Sequence, residues 1–347
     1  MRTVLHVMPH PGGGGETYVD LLEALPGYRH ERFPLSVTRS RRQGISSVLS
    51  RRRELRRLAA DADLLHFHGD MAAMIAAPGL RGRPSVITGH GLHRLRRSGG
   101  LAGRVVRWRL RAAIAASNRV ILNSEAERDD LETELPAALR ERLFVVHNGV
   151  PLPAPVEPAE RARLRRSLDL GEDEVAVLFV ARLEARKDPL GAVAAVEAAR
   201  AEGADLVLVV AGDGPLLEEV REHAGAGVRA LGHRDDLDDL YDATDLFLLP
   251  SHREGMSMAL LEAMAHGLAP VVADGAGNAE AAADAGLVFA AGDQAAMAEA
   301  LASLATDPAE RARLGAAARA RVEGELSVER FREGTAAQYE AALSSGP

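Results

Sequence analysis

The chain has 347 residues, room for two domains of ordinary size, and its 47% hydrophobic but only 3% aromatic content calls for aliphatic globular cores. With no cysteine, disulfides and thiolate metal sites are excluded, and no run approaches the roughly 18 uninterrupted apolar residues of a membrane span. The net charge of −8 is uneven: residues 1–150 hold 24 arginines against 15 carboxylates, a balance of +9, and the remainder carries −17.

The N-terminus, R-T-V-L-H-V-M, is too short and too polar for an export signal and reads as a buried strand, so a cytoplasmic protein is expected. Pro9 to Gly15 is a glycine loop, and a helix is predicted from about Glu16, with Val19, Leu22 and Leu25 facing the core. Strand, glycine loop, helix is the arrangement by which α/β folds bring backbone N–H groups to phosphate.

Further strands are predicted at Leu64–Phe67, Ser85–Thr88, Arg119–Leu122 and Leu143–Val146, with helical segments between, which means a doubly wound parallel sheet. Ligands of such sheets lie beyond the carboxyl ends of the strands. Those ends carry His66 and His68, His90, Asn123-Ser124 and Asn148-Gly149. His66 and His68 share one face of a strand, yet the sequence offers no third metal ligand, and no metal site is expected. Asp61-Ala62-Asp63 mimics a metal-binding D-x-D but precedes its strand, at the edge away from the ligand side.

Two arginine-rich tracts follow, Arg39 to Arg57 and Arg94 to Arg111. In the second, Leu101, Val105, Trp108 and Ala112 recur at helical spacing. Such a helix either covers an ordinary core with a solvated basic face, the favoured reading, or lies on an anionic membrane and makes the N-terminal domain a peripheral contact.

Pro151 to Pro158 is a stiff link and the clearest boundary. A second α/β series follows, with strands at Val175–Ala181, Leu206–Ala211, Val228–Leu231, Leu246–Leu249, Ala269–Ala273 and Leu287–Phe289. The first of these leads to Lys187, the only lysine beside 41 arginines, which suggests a place for a compact point charge. The fourth leads to E-G-M-S-M-A-L-L-E, residues 254–262. Ser257 is the expected N-cap, and Met258, Leu261 and Ala265 fall on one face of the helix it begins. Gly255, Met256 and Ser257 then offer backbone N–H groups to an anion, with Glu254 and Glu262 beside them. Two carboxylates next to an anion site suit a ligand bearing both hydroxyls and phosphates, as a nucleotide sugar does. The last helix is expected at Ser327–Leu343.

E-x7-E with E-A-M-A-x-G at its end, together with G-G-x-E at 13–16, T-x-H ending at His90, Arg182 with Lys187, and G-x-G-P at 212–215, resembles the retaining nucleotide-sugar glycosyltransferases of family 4. The resemblance covers nearly the whole chain. It implies the GT-B fold: two Rossmann-like, doubly wound parallel-sheet α/β domains facing a central cleft. These would be an acceptor-side domain 1–150, a nucleotide-sugar domain 151–326, and a helix 327–347 crossing back to the first domain.

It further implies that His90 contacts the transferred sugar, Arg182 and Lys187 neutralise the donor diphosphate, and Glu254 sits near sugar hydroxyls. Glu262 would accept from the ribose, while Gly13, Gly14, Gly212 and Asp213 approach the nucleotide. Two departures from the family pattern are Ala181 for glycine and Asp188 after the lysine, a carboxylate expected to soften the field of Lys187.

The activity so implied is a retaining, metal-independent hexosyltransferase without a cofactor, using a nucleotide-diphosphate sugar (UDP is the family's commonest) as donor. The acceptor hydroxyl is unidentified, and nucleic acid is not an expected partner. The alternatives are a donor-binding protein without turnover and another GT-B activity such as nucleotide-sugar epimerisation.

Overall fold

A computed structural model of the chain describes residues 1–9, 14–35, 44–91, 100–252, 254–275 and 277–345, with backbone alone at 14, 44–50 and 52. Gly13 and the arginines at 39–42 and 94–97 lie outside the described residues. The chain forms two compact units, Met1–Asn148 with Val328–Pro347, and Gly149–Ser327. The dividing points fall one or two residues from the expected 150 and 326.

The first unit is built from β1 (Arg2–Met8), α1 (Gly14–Glu23), β2 (Tyr28–Pro34), α2 (Gly44–Asp61), β3 (Leu64–His68) and α3 (Gly69–Ala76). It continues through β4 (Ser85–Thr88), α4 (Gly100–Ala116), β5 (Arg119–Leu122), α5 (Glu125–Glu134), α6 (Ala137–Arg140) and β6 (Leu143–Val145). Its six strands are parallel in the order β2-β1-β3-β4-β5-β6. The helix α1 starts at Gly14, two residues before the expected Glu16.

Alternation sends Leu5, Val7, Leu65, Phe67, Ile87 and Leu122 to one face, against α2, α3 and α4. Val4, Leu64, Val86 and Ile121 go to the other. His6, His66 and Thr88 share their parity and therefore their face. The Asp63 carboxylate, at the amino edge, accepts from the backbone N–H of Thr3 at 2.7 Å.

The second unit follows the proline link. It comprises α7 (Pro158–Ser167), β7 (Val175–Val180), α8 (Pro189–Ala201), β8 (Leu206–Ala211), α9 (Leu217–Glu222), β9 (Val228–Gly232) and α10 (Leu237–Ala243). Then come β10 (Leu246–Leu249), α11 (Met258–Ala265), β11 (Ala269–Ala273), α12 (Gly277–Ala282), β12 (Leu287–Phe289), α13 (Gln294–Thr306) and α14 (Pro308–Gly324). Its parallel order is β12-β11-β10-β7-β8-β9, so the winding reverses between β7 and β10. One face packs Leu178, Val209, Phe247 and Leu249 against α11 and α14; the other packs Val177, Phe179, Leu208 and Leu248 against α8 and α13. Burying each such Leu or Phe contributes about 1.5–3 kcal/mol.

The final helix, α15 (Val328–Ser344), returns to the first unit and covers the Val4 face with Phe331 and Tyr339, beside Tyr18 and Leu22 of α1. Arg332 Nε donates to the Leu21 carbonyl at 2.7 Å, and Glu340 accepts from the hydroxyl of Tyr28 at 2.5 Å. Among the described residues no helix is long and apolar enough to cross a membrane.

The helix α4 covers the core with a solvated basic face, as the favoured reading has it, but through other residues than the apolar spacing marks. Its core face is Gly103, Leu110, Ala113 and Ile114, while Leu101, Val105 and Trp108 are exposed. The apolar spacing in the sequence therefore marks the outer face.

Candidate active site

In a doubly wound sheet the ligand crevice opens outside the carboxyl ends of the strands, where the winding reverses. In the second unit that place lies between β7 and β10, followed by residues 181–188 and 250–257. The first loop is laced to the one after β8: Leu183 N–H donates to the Asp213 carbonyl at 2.9 Å, and Leu216 N–H to the Leu183 carbonyl at 3.1 Å. A Cβ on Gly212, whose φ is 146°, would overlap the Ala181 carbonyl oxygen, so only glycine allows this approach. Asp213 is exposed and accepts from its neighbour Gly214 N–H at 2.7 Å. Arg182 is exposed at the start of the loop.

Residues 185–187 form one 3-10 turn, and Asp188, in the left-handed region at φ 53°, caps α8 by accepting from Gly191 N–H at 3.2 Å. This corrects the expectation for Asp188, whose carboxylate serves the helix. The carboxylate on Lys187 is instead Glu254, whose Oε1 receives the ammonium in a buried ion pair. Arg186, unremarked in the sequence although adjacent to Lys187, places Nη1 at 3.4 Å from the same oxygen and donates through Nε to Glu184 at 2.5 Å. The His252 N–H donates to the Arg186 carbonyl at 3.1 Å, joining the loops after β7 and β10. Burial and the Arg186 guanidinium pull the Lys187 ammonium down to about 7, with Glu184 opposing.

Before α11 the chain is held from α12. A Cβ on Gly277 would lie 2.7 Å from the Gly255 carbonyl carbon, so the N-terminus of α12 abuts Gly255 and Met256. Asn278 Oδ1 accepts from Ser257 N–H at 3.0 Å. Ser257 does flank the helix, but its side chain makes no capping bond and its amide is already engaged, so it does not present a donor to an anion as expected. Asn278 Nδ2 is buried without a partner among the described residues. Of the face the spacing predicts, Leu261 and Ala265 are buried and Met258 only partly so; Leu260 and Met264 beside them are buried too.

Glu262, one turn into the helix, accepts from the Tyr241 hydroxyl at 2.9 Å. Burial raises its carboxyl above the usual range, the Tyr241 bond and His266 working against that and Asp238 with it. Tyr241, on α10, gives no sign of this contact in the sequence.

In the first unit, His90 follows β4 at φ 52°. Its loop is fastened by Glu127, a fully buried carboxylate that accepts from Gly91 N–H at 2.7 Å and Asn123 N–H at 2.9 Å. Ser124 Oγ in turn accepts from Glu127 N–H at 3.1 Å. The sequence signal was available: Ser124-x-x-Glu127 after a strand has the spacing of a capping box.

His66 and His68 gain a third companion, His6, and the three buried rings bring ring nitrogens within 4.8 Å of one another. His6 Nδ1 and His68 Nε2 are 2.8 Å apart, a hydrogen bond. Two nitrogens sharing one tetrahedral zinc at about 2.0–2.1 Å each would stand wider. Both nitrogens of His66 are engaged as well, Nδ1 with the Tyr339 hydroxyl and Nε2 with Thr88 Oγ1, each at 2.7 Å. The arrangement is that of a hydrogen-bonded cluster.

Residues 5–153 match the family model described as Glycosyltransferase Family 4, and residues 160–321 the one described as Glycosyl transferases group 1. The chain is 30% identical over 287 residues to the alpha-maltose-1-phosphate synthase of Mycolicibacterium smegmatis, covering 75% of this chain and 73% of that protein. It is 34% identical over 223 residues to the D-inositol 3-phosphate glycosyltransferase of Xylanimonas cellulosilytica, covering 60% and 53%. Among solved structures, sucrose-phosphate synthase from Thermosynechococcus elongatus superposes with a TM-score of 0.82 at 20% identity, over 100% of both chains. Anabaena HepE in complex with UDP gives 0.81 at 19% identity, over 99% of this chain and 100% of that one. The fold shared with them is GT-B.

Proposed function

The chain belongs to the family 4, group 1 glycosyltransferases with the GT-B fold, and on that premise we propose that it is a retaining, metal-independent transferase. The donor is a nucleoside-diphosphate sugar, UDP being the first candidate, and the acceptor is a hydroxyl. The observation that carries this reading is the charged group at the β7/β10 reversal: Lys187 and Arg186 on Glu254, with Arg182 exposed nearby. As the glycosidic bond breaks, negative charge grows on the leaving diphosphate, and cations fixed at that place stabilise it. They supply electrostatically what a divalent ion supplies elsewhere. Glu262 then accepts from the ribose, and His90 contacts the sugar. The UDP and UDP-glucose complexes of Anabaena HepE support a uridine donor.

The test is release of nucleoside diphosphate from a panel of nucleotide sugars, with and without sugar, polyol and lipid-linked acceptors. Acceptor-dependent release with retained anomeric configuration, lost in Lys187→Ala, is the expected result. Donor binding without turnover under every acceptor, or release of an epimerised sugar, would replace this reading.

The basic half adds a membrane contact to the proposal. Leu101, Val105 and Trp108 are 76%, 49% and 68% exposed in one stripe, flanked by exposed Arg104, Arg109 and Arg111. Beside it opens a cavity of about 290 Å³ lined by Leu55, Met74, Leu80 and Trp108. Apolar wedge and basic flanks together suit an anionic cytoplasmic leaflet. Sedimentation with phosphatidylglycerol vesicles, absent with phosphatidylcholine and abolished in Leu101→Glu/Trp108→Glu, is the expected result; binding unaffected by those changes would overturn it.

A further inference from the structure

The helices α10 and α11 are tied to each other by two neighbouring side-chain bonds. Tyr241 on α10 is buried, and its hydroxyl donates to Glu262 Oε2 at 2.9 Å. The next residue, Asp242, accepts from His266 Nδ1 at 2.7 Å, four residues further along α11. The His266 ring lies on that of Tyr241, with centroids 5.1 Å apart and planes inclined by 32°. From the sheet, Phe247 of β10 closes on the same tyrosine at 6.3 Å between centroids. A ring enclosed on both sides delivers its hydroxyl to a fixed place. The same hydroxyl stands 3.3 Å from the Ala259 carbonyl, one turn before Glu262.

An ionised carboxylate only accepts, and it has two oxygens to do so. Tyr241 takes Oε2; Oε1 of the half-buried Glu262 has no partner among the described residues. A glutamate free to turn must give up rotamers when it binds a hydroxyl, whereas one already held by one oxygen loses less. The Tyr241 bond also favours the charged carboxylate, the stronger acceptor, against the burial that disfavours it. Of the other charged groups around Glu262, Asp238 on α10 acts with burial and His266 against it. Arg319, which reaches α11 from α14, is engaged with the Ala265 and Pro153 carbonyls.

We propose that Tyr241 is a positioning residue: it holds Glu262 by Oε2 so that Oε1 is kept for the ribose hydroxyls of the donor. It thereby strengthens the preference for a ribonucleotide. This rests on the reading of Glu262 as the ribose acceptor.

The test is calorimetric titration of the full chain and of Tyr241→Phe with UDP and with 2′,3′-dideoxy-UDP, which lacks the hydroxyls in question. Tyr241→Phe keeps the ring between His266 and Phe247 and removes only its oxygen. Affinity for UDP should fall by about threefold to tenfold, the effect of one hydrogen bond. Affinity for the dideoxy nucleotide, weaker in the parent, should not move, and that constancy shows that the variant is folded. Without the Tyr241 bond the Glu262 carboxyl rises further, so the gap in UDP affinity between parent and Tyr241→Phe should widen below pH 7. The widening should be absent when both carry Glu262→Gln. A tie between helices alone would move neither the ribose dependence nor the pH dependence.

Equal losses for the two nucleotides, or no loss for UDP, would overturn the proposal and leave the proposed function standing. Equal binding of the two nucleotides by the parent would overturn it by removing the ribose role of Glu262. If GDP or ADP binds in place of UDP, the same pair of sugars on that base is the probe. A parent that binds none of the three would count against the proposed function itself.

Discussion

The Lys187 ammonium rests on the Glu254 carboxylate, with side-chain exposures of 11% and 10%, across the reversal between β7 and β10. A lysine free for a diphosphate would point outward; this one is held until a stronger anion competes. The pair therefore has two roles to separate, stability in the resting protein and charge for the donor.

Removing one partner of a buried pair strands the other, so Lys187→Ala should destabilise the protein by about 3 kcal/mol as well as weaken binding of UDP. Arg186, at 3.4 Å from the same oxygen, keeps the loss near the lower end of that range. The double variant Lys187→Met/Glu254→Gln should recover most of the stability and none of the affinity. Denaturant melts and calorimetric titration with UDP read the two separately; recovery of affinity in the double variant would refute the assignment.

The pH dependence of the same lysine has opposite signs for folding and binding. Its value in the fold, about 7, lies below the ordinary 10.5, so between them the unfolded chain binds the extra proton and this group's contribution to stability rises with pH. Binding a diphosphate favours the ammonium, so UDP affinity should fall by up to about tenfold per pH unit above 7, with proton uptake on binding. Calorimetry in buffers of different ionisation heat measures that uptake; none between pH 7 and 8.5 would sink the prediction.

Glu262 carries a burial penalty as a carboxylate, its value raised in the fold, so its contribution to stability is lost as pH climbs from the unfolded value through the folded one. Glu262→Gln should melt no lower than the parent at pH 7, because Tyr241 still has an oxygen to bond. A neutral amide accepts more weakly from a ribose hydroxyl, and donor KM should rise about threefold to tenfold. A lower melting temperature with unchanged KM would mark the residue as structural only.

Glu127 bridges two amides, those of Gly91 and Asn123, and has no room to spare beside Gly89, where a Cβ would fall 2.6 Å from its Oε1. Glu127→Gln turns one acceptor into a donor facing an N–H. The expected cost is about 1–3 kcal/mol in stability. Faster hydrogen exchange at Gly91 and a lowered kcat should accompany it, since the loop carries His90.

The edge strand β2, polar from Arg29 to Arg32, is missing from the sequence reading, whereas the other strands, apolar runs at regular spacing buried on two faces, were legible. The alignment of Arg186, Tyr241, His6 and His30 was not. His6 and His30 are 24 residues apart in sequence and become neighbours only through the β1/β2 register, which no local pattern encodes. Ser257 reads as a cap because serine is the usual residue there, yet Asn278, 21 residues on, already takes its amide. On α4 the apolar residues singled out by spacing, Leu101, Val105 and Trp108, lie on the outer face, while Gly103, Leu110, Ala113 and Ile114 hold the core side.

The return of α15 to the first sheet has a consequence for synthesis. A ribosome delivers the second unit as one uninterrupted length, while the Val4 face of the first waits with only α1 over it until Phe331 and Tyr339 emerge. During that interval a nascent chain displays aliphatic side chains and uncapped imidazoles to its surroundings, and chaperone demand should concentrate there.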